Sequence, residues 1–161
     1  MTTGGGHAVT TGSVADPLAL EAQVCLAMSA AARDLVAFYR PLLAPLGLTH
    51  PQYLVMLALW QHGELTLTRL AALLHLEPGT ASPLVRRLEA QGLVERTRSA
   101  DDGRALVLRA TAAGRALREQ ALAVPGRMLA GLALTVEEAA RIREAAELLV
   151  GACARARTDL S

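Results

Sequence analysis

Two thiols and four imidazoles are the side chains of this 161-residue sequence whose types suit covalent or metal chemistry. Cys25 and Cys153 lie far apart, so we do not expect a structural disulfide between them. A cysteine reacts as its thiolate, and an unperturbed thiol, with a pKa of about 8.5, is mostly protonated at neutral pH. From residue type and position alone, both cysteines are interpreted as small, buried apolar residues.

The histidines do not form a metal motif. His7, His50, His62 and His75 are scattered, and none has the spacing from a cysteine that a structural zinc site requires. The sequence also shows no cofactor-binding loop and no second catalytic group to accompany Cys25. We therefore predict a protein without a metal site or cofactor that is not an enzyme.

Arginine supplies all sixteen basic side chains of the sequence, and lysine is absent. We attribute this bias to genomic base composition rather than to chemistry. The net charge of +1 is equally uninformative, because nucleic-acid binding depends on where the charges lie. The arginines within residues 65–111 are the informative ones, since they fall in a recognisable order of elements.

Residues 65–111 are predicted to form a helix-turn-helix followed by a β-hairpin. Apolar residues recur at helical spacing on both sides of a turn over 75–79. The two apolar stripes consist of Leu67, Leu70, Ala71 and Leu74, then Ala81, Leu84, Val85 and Leu88. Small polar residues and paired arginines on the opposite face of the second helix suit binding in a major groove. These candidate DNA-binding residues are Thr80, Ser82, Pro83, Arg86 and Arg87.

Proline within that second helix removes one bond of the helical ladder. We therefore expect Pro83 to cause a local distortion, or the helix to start later than Pro78.

The hairpin is predicted to consist of two antiparallel strands, Val94–Arg98 and Ala105–Arg109. An aspartate at its tip is placed to orient an arginine toward a minor groove, whose negative potential favours that side chain. A solvated charged hairpin is the alternative, and the preceding helix-turn-helix favours a DNA-binding wing. The candidate residues of this wing are Arg96, Arg98, Asp102 and Arg104.

Two helices are predicted before the module. The first begins at Pro17, capped by Asp16, and ends at the prolines Pro41 and Pro45. Thr49 then caps a second helix, which turns several apolar side chains inward. These inward residues are Tyr53, Leu54, Leu57 and Trp60.

Two further helices are predicted after the module. Thr111 caps the first, which is bent at Pro125. Thr135 and Glu138 form a capping box that contributes about 1 kcal/mol to the start of the last helix. The winged module alone leaves the first and last helices uncovered. We therefore expect a dimer interface that sets two reading helices about 34 Å apart, one turn of duplex DNA.

The predicted fold is mainly α with a small β-hairpin wing (α+β): a winged helix-turn-helix whose N- and C-terminal helices form a dimerisation domain. The predicted parts are a disordered tail over 1–16, an N-terminal dimerisation helix over 17–48, a DNA-binding domain over 49–110 and C-terminal dimerisation helices over 111–161. No apolar run is long enough to cross a bilayer, and no secretory signal pattern opens the sequence, so a cytoplasmic protein without a membrane partner is expected.

This order of elements resembles the MarR family of bacterial transcriptional regulators, and Asp102-Gly-Arg104 matches that family's Asp-x-Arg wing signature. Within the family, four stretches are similar to the organic-hydroperoxide sensor group (OhrR-like). They are Gln23-Val-Cys25, Tyr39-Arg-Pro-Leu-Leu43, Leu48-Thr-His-Pro-Gln-Tyr53 and Pro78-Gly-Thr-Ala-Ser-Pro83.

The resemblance implies that Cys25 is a peroxide-sensing thiol surrounded by Tyr39, His50 and Tyr53. Hydrogen bonds to sulfur from phenol or imidazole groups would favour its thiolate, and apolar surroundings would select lipophilic peroxides. Oxidation gives a sulfenic acid that can condense with another thiol. Cys153 is the possible resolving cysteine, with a plain core residue as the alternative.

Three positions depart from the sensor group's pattern. Ser29 and His50 stand where that group commonly has tyrosine, which predicts a changed peroxide selectivity. Glu77 stands where it usually has aspartate, which predicts a weaker helix cap and the same function.

Three functions remain open at this point. The first is a dimeric repressor that binds double-stranded DNA at a pseudo-palindromic operator and leaves it when an organic hydroperoxide oxidises Cys25. The second is a regulator of the same type that responds to a small phenolic or lipophilic ligand. The third, from another class, is a thiol peroxidase that uses Cys25.

Overall fold

A computed structural model describes residues 16, 18–20, 23–98 and 106–159 of the chain. The chain divides into two compact units, with the division after Ala37. The predicted tail over 1–16 lies outside the described residues except for Asp16. The described part is mainly helical with one small antiparallel sheet, as the sequence predicts.

The first helix, α1, spans Val24–Leu43, so the predicted start at Pro17 is wrong. The Asp16 carboxylate accepts a hydrogen bond from the Leu18 amide at 2.9 Å, and this local turn competes with helix formation. The helix ends at Leu43, between the two prolines predicted to end it, and Pro41 lies inside its last turn. The helix passes into a 3₁₀ turn, Ala44–Leu46, and Gly47 closes that turn in the left-handed region at φ 66°.

Helix α2, His50–His62, begins after the predicted cap Thr49, which forms a capping box with Gln52. The Thr49 amide donates to the Gln52 side-chain oxygen at 2.9 Å, and the Gln52 amide donates to the Thr49 hydroxyl at 3.5 Å. Tyr53 is buried as expected, but Leu57 is 39% exposed and its predicted inward position is wrong. The buried residues of α2 define a face from which Leu57 points away; they are Gln52, Tyr53, Val55, Met56, Ala58 and Leu59.

The predicted helix-turn-helix is present as α3, Leu67–Leu73, and α4, Pro78–Ala90. Helix α4 starts at Pro78 and continues past Pro83, so the later start considered from the sequence is wrong. Pro83 is the sixth residue of α4, so it removes the ladder bond to the Gly79 carbonyl but does not end the helix. The Glu77 side chain makes no capping hydrogen bond, which agrees with the weak cap predicted for it.

The sheet has three strands instead of the predicted two. Strands β1, Glu64–Leu65, β2, Val94–Arg98, and β3, Leu106–Ala110, lie in the antiparallel order β1-β3-β2. The register pairs Leu65 with Leu108 and Arg96 with Leu108. The predicted second strand is thus shifted by one residue at its end, and its first residue, at position 105, lies outside the described residues.

The predicted bent helix after the wing is two helices, α5, Ala112–Ala121, and α6, Val124–Gly131. The chain breaks between them because Pro125 has no amide hydrogen to donate to the carbonyl four residues earlier. Helix α7, Val136–Asp159, begins at the predicted capping box, in which the Thr135 amide donates to Glu138 at 2.9 Å and the reverse bond measures 3.1 Å.

One apolar core joins α2, the helix-turn-helix and all three strands. Its largest fully buried side chains are Leu43, Met56, Leu59, Leu70, Leu88 and Leu108. Helix α5 docks closely on this core: the Thr111 hydroxyl donates to the Gly92 carbonyl at 2.6 Å, and a Cβ at Gly114 would overlap the Leu93 carbonyl oxygen. The core therefore fixes the orientation of α4 relative to α2 and the sheet.

Candidate nucleic-acid interface and aromatic cluster

Helix α4 presents a polar face outward and an apolar face to the core. Ala81, Val85 and Leu88 are buried, as the sequence predicts. The candidate DNA-binding residues Thr80, Arg86 and Arg87 are exposed, whereas Ser82 and Pro83 are half-buried at the edge of that face. An exposed helix face with two adjacent guanidinium groups is suited to contact the phosphates and base edges of a major groove.

Arg96 links the hairpin to α4, which the sequence does not reveal. Its Nε atom lies 2.9 Å from Oε1 of Glu89, and both side chains are about three-tenths exposed. The ion pair links strand β2, at the base of the wing, to helix α4. If Arg96 also contacts a DNA phosphate, its guanidinium must bind the phosphate and the Glu89 carboxylate at the same time.

Arg109 forms two further ion pairs, which were not predicted from the sequence. Its guanidinium lies 2.9 Å from Glu95 on β2 and 3.6 Å from Glu64 on β1, so it bridges all three strands. Alternation along β3, which places Arg109 opposite Glu95, is the sequence signal that would have found it. Because these side chains are about half exposed, the bridge orients the strands more than it stabilises them.

The remaining wing candidates are described only in part. Arg98 is exposed at the end of β2, directly opposite Leu106. Asp102 and Arg104 lie outside the described residues, so their predicted arrangement at the wing tip stays a prediction.

Three of the predicted sensing residues come together in an aromatic cluster, which consists of Tyr39, His50 and Tyr53. The ring centroids of Tyr39 and His50 are 5.0 Å apart, with the planes inclined at 53°. The rings of Tyr39 and Tyr53 are 6.1 Å apart and inclined at 36°. Residues 50 and 53 lie one turn apart on α2, which is why both rings reach the same residue of α1.

Burial keeps the aromatic cluster uncharged at neutral pH. It raises the pKa of Tyr39 above the usual 10.0, and burial together with the neighbouring Tyr39 raises that of Tyr53. Burial also lowers the pKa of His50 below the usual 6.5. The cluster therefore offers two phenol O–H donors and a neutral imidazole.

Both cysteines are exposed, so the interpretation of each as a buried apolar residue is wrong for the single chain. Cys25 lies on α1 in the unit before residue 38, and Cys153 lies on α7 in the unit after it. Apolar residues of the same two helices, Val24 on α1 and Ile142 and Val150 on α7, are exposed as well.

A cleft of about 410 Å³ lies beside Tyr53. Its lining is largely apolar, with Leu57 and Trp60 from α2 and Leu122 after α5, and the guanidinium of Arg118 is its one charged group. Such a combination suits a small aromatic or aliphatic molecule that carries an acidic group.

The described residues contain neither a metal-binding cluster nor a single helix able to span a membrane. No three His, Cys, Asp or Glu side chains lie close enough there to hold a metal ion. No single helix in that part of the chain is both long and apolar enough to span a membrane.

The sequence profile of the MarR family matches residues 48–106. The chain is 40% identical over 114 residues to the organic hydroperoxide resistance transcriptional regulator of Bacillus subtilis (strain 168), a match that covers 71% of this chain and 78% of that protein. It is 39% identical over 123 residues to the HTH-type transcriptional regulator TtmR of Methylorubrum extorquens (strain PA1), covering 76% of this chain and 63% of that protein.

Solved structures show the same fold. Reduced AbfR bound to DNA matches with a TM-score of 0.65 and 30% sequence identity, covering 83% of this chain and 94% of that one. Bordetella bronchiseptica BpsR, whose DNA binding is regulated by 6-hydroxynicotinic acid, matches with a TM-score of 0.73 and 22% identity, covering 84% and 98%. The second likeness concerns the fold alone.

Proposed function

This chain belongs to the MarR family of DNA-binding transcriptional regulators, and we propose that it is a dimeric repressor that an organic hydroperoxide releases from its operator by oxidising Cys25. The chain is a regulator and not an enzyme, so the thiol peroxidase hypothesis is set aside. The observation that carries the proposal is the aromatic cluster, which supplies uncharged donors in a chain similar to a hydroperoxide resistance regulator.

The proposed chemistry is a two-electron oxidation of the Cys25 thiolate. The sulfur attacks the terminal peroxide oxygen, the O–O bond breaks, and the alkoxide leaves and is protonated to the alcohol. The sulfur is left as a sulfenic acid. A second thiol can then form a disulfide with it and release water, and Cys153 is our candidate for that thiol.

Tyr39, His50 and Tyr53 are proposed to donate hydrogen bonds to the reacting sulfur and to the leaving oxygen. Because the pKa of each phenol is raised and that of His50 is lowered, all three groups act as neutral donors at neutral pH. Neutral donors favour a thiolate without placing a permanent counter-ion in the site. Such a site remains accessible to lipophilic peroxides.

For DNA, we propose that α4 binds in the major groove through its exposed face. The proposed contacts of the helix and wing are Thr80, Ser82, Pro83, Arg86, Arg87, Arg96, Arg98, Asp102 and Arg104. The exposure of Arg86 and Arg87 on one helix face supports the helix contacts. Arg104, oriented by Asp102, is the proposed minor-groove contact.

A second candidate signal is a small ligand. The cleft beside Tyr53 supports it, since its apolar walls and the Arg118 guanidinium suit an aromatic carboxylate or a phenol. A ligand there would act without any change in the oxidation state of Cys25. The two signals are therefore separable by experiment.

The test is release from DNA by each signal. An operator is first selected from random duplexes with the reduced protein, and its affinity is then followed by fluorescence anisotropy. We expect cumene hydroperoxide to weaken binding of the wild type about tenfold or more, within the usual range of such coupling. Cys25→Ser should stay bound, while Cys153→Ser should be released without forming an intermolecular disulfide.

The opposite results are equally informative. Release of Cys25→Ser by peroxide to the same extent as the wild type would exclude Cys25 as the sensor. Release of both proteins by an aromatic carboxylate under reducing conditions, with no response to peroxide, would establish the ligand-responsive regulator instead.

A further inference from the structure

Gln52 is a polar side chain held inside the apolar core, with only 4% of its surface exposed. Its carbonyl oxygen accepts hydrogen bonds from the Thr49 amide at 2.9 Å and from the Thr49 hydroxyl at 3.1 Å. Its NH₂ group donates to the side-chain oxygen of Gln91 at 3.4 Å. A buried amide needs such partners, because it has lost its hydration.

Gln91 extends this chain of bonds. Its own NH₂ group donates to the Gly47 carbonyl at 3.3 Å. Gln91 is also the C-terminal cap of α4, and its backbone amide donates to the Arg87 carbonyl at 3.0 Å. The amide relay formed by Gly47, Gln52 and Gln91 thus ties three places together: the turn that follows α1, the first turn of α2 and the end of the reading helix.

The relay starts in the same helical turn that carries the aromatic cluster. His50 and Tyr53 flank Gln52 in the first turn of α2, with their rings toward Tyr39 while the amide reaches Gln91. At the other end, Arg87 lies one turn before Gln91 on α4. The relay therefore connects the first turn of α2 to the end of the helix that is proposed to read DNA.

Apolar packing also joins α2 and α4. Met56 on α2 and Val85 and Leu88 on α4 are packed in the shared core, and dispersion contacts of this kind have no direction. Hydrogen bonds do depend on direction and length, and at 3.3 to 3.4 Å the two bonds of the exposed Gln91 are longer than the usual N–H···O distance and therefore easily exchanged.

We propose that Gln91 is a positioning residue that couples the aromatic cluster to the orientation of α4 through the buried amide of Gln52. The inference rests on the proposed function. In it, oxidation of Cys25 changes the aromatic cluster, and the relay passes this change to α4, which then releases DNA. Gln91 itself contacts neither the thiol nor the operator in this scheme.

The test compares Gln91→Leu with the matched control Gln120→Leu, which alters an exposed glutamine on α5. The quantity measured is the ratio of operator Kd after and before treatment with cumene hydroperoxide. Coupling between sites typically amounts to 5- to 150-fold, and we expect Gln91→Leu to reduce the ratio about fivefold. Gln120→Leu should keep the wild-type ratio, and the rate of Cys25 oxidation, followed by mass spectrometry, should be the same in all three proteins.

An unchanged ratio in Gln91→Leu, with a thermal melt that confirms folding, would overturn the inference. A wild type that ignores peroxide would overturn the proposed function instead, and a second measurement then decides on the relay. This measurement is a double-mutant cycle on operator Kd in the reduced protein, with Tyr39→Phe and Gln91→Leu. A departure from additivity of about threefold or more supports the coupling, and additive effects refute it.

Discussion

At the scale of single residues, the proposed sensor differs from a thiol activated by a cation. In the aromatic cluster Tyr53 is buried and Tyr39 and His50 are half-buried, and burial lowers the pKa of His50 and raises that of both tyrosines, which favours the neutral forms. His50, like Ser29, stands where the sensor group commonly has a tyrosine, so one donor of the cluster is an imidazole that titrates at a lower pH than a phenol does. The resemblance to the sensor group predicted these three residues together, and the structure confirms their proximity but does not test their role.

The lowered pKa of His50 predicts a pH-dependent stability. The unfolded chain binds a proton at this residue as the pH falls through 6.5, while the folded protein does so only at lower pH. The part of the unfolding free energy that depends on a neutral His50 is therefore fully present above pH 6.5. It is lost as the pH falls toward the pKa that His50 has in the folded protein. His50→Gln should lose less unfolding free energy than the wild type between about pH 7.5 and about pH 5.5 in urea titrations.

His62→Gln is the control for this experiment, since it removes an exposed histidine from the other end of α2. The comparison uses only the change with pH, so a constant loss of stability caused by the substitution cancels. An equal loss in His50→Gln and the wild type would show that burial does not hold the imidazole neutral.

At the scale of elements, the junction between the wing and α5 depends on a glycine. A Cβ at Gly114 would overlap the Leu93 carbonyl oxygen, which belongs to the backbone and cannot rotate away. Gly114→Ala should therefore lower the free energy of unfolding by about 1–3 kcal/mol, the usual cost of overpacking. Chemical denaturation followed by circular dichroism measures this change.

Gly126→Ala is the matched substitution, because nothing lies within 4 Å of a Cβ at that position of α6. Alanine there should raise the free energy of unfolding by about 0.5–1 kcal/mol through its higher helix propensity. If both substitutions shifted stability in the same direction, the close approach at Gly114 would not be the cause.

Sequence periodicity predicted the mainly helical winged fold, which the comparisons confirm, because amphipathic stripes and caps such as Thr49 act within one or two turns. Features that depend on distant partners were not predictable. Strand β1 is too short to show alternation and exists only through its pairing with β3. The Arg96–Glu89 pair and the Gln52–Gln91 bond likewise join different elements. The proposed roles of the site residues stay predictions.

At the scale of the whole molecule, apolar surface is left uncovered on α7. Ile142 is 57% exposed and Leu148 is 72% exposed, and exposed apolar surface of this kind commonly marks an interface. We therefore expect sedimentation to give twice the mass of one chain. Ile142→Glu should shift the protein toward the monomer and weaken binding to an operator with two half-sites by about tenfold or more, because each monomer then binds alone.

Thr68→Glu provides the control, since it adds the same charge at an exposed position of α3. It should leave the sedimenting mass unchanged. A monomeric wild type at micromolar concentration, or an Ile142→Glu protein that remains dimeric, would contradict the assignment of α7 to the interface.

Strand β1 also has a consequence for the order of folding. Its two residues pair with positions 43 and 45 residues later, so the entire helix-turn-helix lies inside the loop that this pairing closes. Contacts so distant in sequence form late, because the entropy of closing the loop must be overcome first. On the ribosome, α3 and α4 can form as helices early, but they cannot reach their final packed orientation until β3 has emerged. The chain thus acquires its DNA-reading geometry only after β3, which ends at Ala110, has been synthesised.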